Sequence, residues 1–167
     1  MDIEVIIDKF IVADKVGRQK IKNDVGQSEE LLRECLGMMR YAARQSVRQN
    51  SKDIFIKGLY ANILEDNRQD FRDNIVGLTL LYHSAILIGL DPDKEFKKVA
   101  NDTDGEGKKL LISFINRDSK DKTLKCMGYR TTNTPDFDFI SDFLNEKYLF
   151  GTEYSEATDK KIMNASR

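Results

Sequence analysis

Tryptophan is absent from this chain, histidine occurs once, and proline and cysteine occur twice each. A single imidazole, His83, cannot build a multi-histidine metal site, and any Ser–His–Asp or Cys–His arrangement would have to use it. There is no G-x-x-x-x-G-K-S/T, no G-x-G-x-x-G, no H-E-x-x-H and no C-x-x-C, so the common nucleotide, metalloprotease and thiol-redox signatures are missing. No apolar run reaches 18 residues, and the N-terminal "MDIEVIIDKFIVADKV" has neither the basic start nor the apolar middle of a signal peptide. A cytoplasmic protein is therefore expected, with no membrane span and no cofactor. An excess of charge of either sign is also lacking. The 27 basic and 28 acidic residues nearly cancel, which removes the electrostatic case for nucleic acid as a partner.

What is present favours helices. Only two prolines and ten glycines interrupt 167 residues, and 40% of the chain is hydrophobic. That length suits one domain able to bury a core without a staple. Cys35 falls on an apolar helix face, far in sequence from Cys126. Two buried reduced thiols are the default, with a disulfide as the alternative.

Apolar spacing predicts a first helix over 2–16, with Gly17 and "KNDVGQ" (22–27) read as a linker. Ser28 then caps a second helix with acids in its first turn and basic residues at its end, as the helix dipole prefers. A third is capped by Ser51 or Asp53, and a fourth runs from about Asp70 to Ile88. The fourth is apolar on most sides and so is expected to be central. Gly89 ends it, Asp91 and Pro92 open the next, and Asp104 is expected to cap a helix near 105–116. A last helix is expected in "FDFISDFLNEKYLF". The fold class is all-α: a single-domain irregular bundle or α-hairpin stack of six to eight short helices over 1–150, followed by a flexible tail, 151–167.

Four sets of residues are candidates for function. Arg33, Arg40, Arg44 and Arg48, spaced 7, 4 and 4, share one sector of the second helix beside Tyr41. Such a ridge is either a solvated, ion-paired face or a docking surface for an acidic protein. The acidic stretches containing Glu65, Asp66 and Asp70, and Asp102 and Asp104, are alternative contacts for a basic partner. His83, among Leu80, Leu81 and Ala85, is expected to be a core imidazole rather than a catalyst. Asp70 and Asp73 stand at a helix start, where a cap and a first-turn acid account for both.

Two resemblances add to this reading. "DFRD", "LLYHSAILIGLDPDKEF" and "FINRDSKDKTLKCMGY", over roughly 66–130, resemble a group of small bacterial helical proteins to which no activity is attached. Proteins of this style are often immunity partners of toxins, which implies a cognate toxin as partner. Separately, Glu29, Glu30 and Glu34, with Asp70 and Asp73, resemble the MazG-like all-α nucleoside-triphosphate pyrophosphatases. Those hold magnesium with E-E-x-x-E on one helix and E-x-x-D on the next. Here the motifs are E-E-x-x-x-E and D-x-x-D, with an extra helix between them, and "GLD" at 89–91 is also similar. That resemblance implies a metal held by Glu30, Glu34, Asp70 and Asp73. The leading expectation is a non-enzymatic binding protein of immunity type, with the pyrophosphatase as the alternative.

Overall fold

The computed structural model describes residues 2–65, 71–116 and 144, without the side chains of 71–73. Among the described residues the chain is all-α, with seven helices and no strand. They are α1 (Ile3–Val12), α2 (Lys15–Gly26), α3 (Glu29–Gln49), α4 (Lys52–Leu64), α5 (Phe71–Leu87), α6 (Pro92–Asn101) and α7 (Glu106–Ile115).

Local chemistry sets most of the boundaries. Asp2, Asp14, Ser28, Ser51 and Asp91 each sit in extended backbone and accept a hydrogen bond from an amide in the first turn of the helix that follows. This satisfies donors that have no partner inside the helix. Asn50 ends α3 in the left-handed region (φ 49°), which an asparagine tolerates better than most side chains. Gly89 takes the same sign of φ after α5 (86°), and Pro92 opens α6.

Two expectations need correction. The predicted helix over 2–16 breaks at Ala13, and the predicted linker 22–27 is largely the second half of α2. The break follows from Asp14, whose carboxylate accepts the Gly17 N–H at 2.8 Å and restarts the chain in a new direction. Within α2 only Lys22 and Val25 are buried, too thin a stripe for apolar periodicity to reveal. The other correction is at α7, where Gly105 rather than Asp104 is the cap residue, with no side-chain cap bond.

α3 packs chiefly on α4 and α5, with α1 and α2 also against it. Close approach is achieved by removing side chains at the crossings. A Cβ on Gly58 would lie 2.8 Å from the Ala42 Cβ and 2.7 Å from a Leu81 methyl. One on Gly107 would lie 2.6 Å from the Ile63 Cα, so α7 can meet α4 there only through glycine. α5 is central, as its all-round apolarity implies: Val76, Leu78, Leu80, Leu81, Tyr82 and Ala85 are buried. Without tryptophan, phenylalanine and tyrosine supply the bulk. Phe55, Tyr82, Phe96 and Phe114 join α4, α5, α6 and α7, with Tyr82 edge-on to Phe96 at 5.5 Å.

Cys35 is buried with a free thiol. Leu144, from the stretch expected to form the last helix, is helical and belongs to the core. Asp66, Asp70, Cys126 and the expected tail at 151–167 lie outside the described residues.

Candidate functional site

The arginine ridge is not the open surface that its spacing suggested. Arg33 and Arg48 are exposed, but Arg40 and Tyr41 are half-buried and Arg44 is only 7% exposed. Arg40 turns back along its own helix, Nη1 donating to the Leu36 carbonyl at 3.5 Å. The reason is tertiary. α3 is enclosed by α1, α2, α4 and α5, so its buried sector is wider than its apolar stripe, and an arginine stem can fill part of it.

The acidic candidates also separate. Glu65 is fully buried, so it cannot be a surface contact; its Oε2 accepts from Asn74 Nδ2 at 2.8 Å. Asp102 and Asp104 remain on the surface, between α6 and α7, but neither is a simple free charge. Arg18 of α2 holds the first. Its Nη2 donates to Asp102 Oδ2 at 2.9 Å, and Nη1 donates to the Asp102 carbonyl. The same guanidinium caps the end of α1, donating from Nε to the Phe10 carbonyl at 2.9 Å and from Nη2 to the Ile11 carbonyl at 2.7 Å. It also stacks over the Phe10 ring, 4.9 Å from the centroid. Tyr60 of α4 completes the group, its hydroxyl donating to Asp102 Oδ2 at 2.7 Å. Lys22, nearly buried, donates to the Asp104 carbonyl at 2.8 Å and lies 3.8 Å from its carboxylate.

This cluster shifts its members in opposite directions. For Asp102, partial burial acts to raise the pKa, but the Tyr60 hydrogen bond and the hydrogen bond and charge of Arg18 outweigh it and hold the carboxyl below its ordinary value. For Tyr60, burial, the hydrogen bond to Asp102 and that carboxylate's charge together push the phenol up to about 12.

Around the cluster lies a cleft of about 1050 Å³, walled by α2 on one side and residues 101–104 on the other, with Phe10 and Ala13 at its end. One apolar side chain of the lining is left in water, Val16 at 79% exposure, and Val12, the last residue of α1 and next in the chain to Ala13 of the lining, is exposed at 84%. Reading α2 as a linker hid all of this from the sequence analysis. The one signal that could have found it was Asp14 three residues before Gly17, a capping geometry placed ahead of a basic run.

The proposed magnesium ligands are only partly described. Glu30 is exposed and Glu34 half-buried, the backbone of Asp73 lies in the first turn of α5, and Asp70 is outside the described residues. Glu34 Oε2 is enclosed and has no hydrogen bond among the described residues. Glu65, which the sequence reading did not pair with it, lies in the same neighbourhood. Burial first, and then the charges of Glu65 and Glu34, drive the Cys35 thiol far above its ordinary pKa. An acid at the end of α4 opposes the helix dipole, and that misfit was the available sign that Glu65 is not ornamental. Among the described residues no three potential ligands gather as a metal site would require. His83 is fully buried, and burial lowers its pKa to about 3.

Compared with protein-family models, with curated proteins and with solved structures, the chain has no match in any of the three.

Proposed function

We propose that this protein works by binding another protein, and that the corner between α1 and α2 is where it does so. The observation that carries the reading is the pair Val12 and Val16. They are the most exposed of the large apolar side chains described; Val16 lines the 1050 Å³ cleft, and Val12 ends α1 one residue before Ala13 of its lining. Single exposed valines are ordinary, but two on either side of one helix–helix corner, one of them in a cleft, form an apolar edge with polar surroundings, which is how a contact surface is built. The support beneath it is rigid, because Arg18 ties α1, α2 and the 101–104 connection together. The finer reading is an immunity-type inhibitor that neutralises a toxin by occupying it.

The test is recovery of a partner from native lysate on the tagged protein, compared with Val12→Asp/Val16→Asp. Both side chains are largely solvated, so the double variant should melt as the wild type does. Losing a central apolar contact of about 1.4 kcal/mol or more should lower recovery of a genuine partner at least about tenfold. A partner retained equally by both forms removes the corner from the reading.

A second reading has one observation of its own, the half-buried Glu34, whose enclosed Oε2 has no hydrogen bond among the described residues and whose charge, with that of Glu65, acts on the Cys35 thiol. Enclosed carboxylates are expensive unless protonated, hydrogen-bonded or bound to a cation. This favours the magnesium-dependent nucleoside-triphosphate pyrophosphatase, with the ligand set Glu30, Glu34, Asp70 and Asp73 that the resemblance implies. Under that reading the protein releases pyrophosphate from nucleoside triphosphates with magnesium, and Glu34→Gln removes about 99% or more of the rate, since a lost metal ligand weakens metal affinity or activity at least as much as outer partners do. Absence of pyrophosphate release across the common nucleotides would end this reading.

A further inference from the structure

We propose that the cleft beside α2 receives an extended, acidic segment of the partner protein. This rests on the binding reading above and adds the chemistry of what binds. The argument begins with which charges in the cleft are already committed. Arg18 is matched to Asp102, and Lys22 is bound to Asp104, so four of the lining charges neutralise one another. The acids of this loop are therefore poor attractors for a basic partner, contrary to the expectation from sequence.

Two cations remain. Lys15 and Lys20 line the cleft, are exposed, and form no ion pair among the described residues. Lys15 is the first residue of α2, and the Asp14 carboxylate already takes up the amide of Gly17 at that helix end, so the lysine side chains themselves carry the positive charge on offer. Asp24, the one remaining acid of the lining, sits near the other end of the helix. The part of the lining next to Val16 therefore offers two lysines with no ion pair among the described residues, beside an apolar side chain, although the Asp14 carboxylate stands next to Lys15 in the chain.

The shape of the lining favours a peptide over a small anion. Gln19, Asn23 and Gln27 follow Lys15 at four-residue steps, so they form one row along α2, and Asn101 stands in the opposite part of the lining. At about 1.5 Å per residue the row from 15 to 27 is roughly 18 Å long, the span of about five extended residues. A primary amide offers both donors and an acceptor, which matches the alternating N–H and C=O groups of an extended backbone. Gln19 Nε2 already donates to Asn23 Oδ1 at 3.0 Å, an arrangement that leaves the Asn23 amide free to donate outward.

The test selects linear peptides from a phage-displayed random library on the full-length protein. The recovered peptides are then titrated by fluorescence anisotropy against wild type and Lys15→Glu/Lys20→Glu. Both lysines are exposed, and an acid at the start of a helix is favourable, so unchanged melting is expected and verifies the fold. The expected result is a consensus rich in Asp or Glu around an aliphatic residue. Its affinity should fall about tenfold or more in the double variant, and several-fold between about 50 and 300 mM salt, because surface attraction is screened. A basic or neutral consensus, or acidic peptides that bind the variant equally, overturns the proposal. A selection that enriches nothing overturns it too, while the Val12/Val16 comparison independently decides whether the underlying binding reading stands.

Discussion

Arg18→Ala should destabilise this protein by about 2–3 kcal/mol, more than a surface position normally does. The side chain is mostly enclosed, and its removal affects four partners at once. The Phe10 and Ile11 carbonyls at the end of α1 lose their donors, Asp102 loses its counter-charge, and the Phe10 ring loses its cation. Each stranded acceptor that stays shielded from water costs about 1–3 kcal/mol, but the Asp102 carboxylate is about half solvated and recovers much of its loss, so the sum stays near the lower end. In a chain of this length that corresponds to a fall of roughly 5–10 °C in melting temperature. Arg18→Lys should recover only part of it, since one ammonium cannot reach along both the α1 carbonyls and the carboxylate. A melting curve of Arg18→Ala superimposed on the wild type would show that the guanidinium is a passenger. The measurement also bears on function, because a loosened α2 would move the walls of the cleft.

Mild acid should weaken the fold well before the carboxylates titrate, and His83 is the cause. Its pKa is lowered by burial to about 3, against 6.5 for an exposed imidazole. As pH falls below 6.5 the unfolded chain takes up a proton that the folded chain refuses, so acid favours unfolding. Stability from this group is complete above pH 6.5 and is lost at up to about 1.4 kcal/mol per pH unit on the way down to pH 3, or about 2 kcal/mol by pH 5. There is one histidine in the sequence, and it is the only side chain whose ordinary pKa falls near the top of this window, so it should dominate the limb between pH 6.5 and 5. Urea denaturation of wild type and His83→Leu at several pH values checks this. The wild type should lose stability through the window, and the variant should be flat there whatever its absolute stability. A flat wild-type profile would mean that His83 is hydrated or protonated in the folded state.

Several features of the fold could be read without coordinates because they are local. Ser28, Ser51 and Asp91 cap the helices expected of them, since a cap needs only a side chain and an amide two or three residues away. The central position of α5 followed from apolar residues on most of its faces, a pattern with no solvated side to offer. α2 was missed because a helix resting on two buried residues carries almost no periodic signal, and it exists by virtue of its cap and of what Arg18 and Lys22 reach across the fold.

The candidate sites were legible to a smaller degree, and for the same reason. Arg40 and Arg44 read as surface because charge and spacing say nothing about how many neighbours a helix has. Glu65 read as part of an acidic loop, although it is sealed against Asn74. Charges 82 and 84 residues apart in sequence meet at the 101–104 connection, and no local pattern predicts such a meeting.

The sequence by itself thus determined an all-α chain, the starts of α3, α4 and α6 and the central helix, because propensity, capping and amphipathic period act within a turn or two. Only the tertiary structure decided which charges are spent inside the molecule and which are left at its surface. Burial and long-range pairing depend on which helices lie against each other, and that is settled by the packing of the whole chain rather than by any one segment of it.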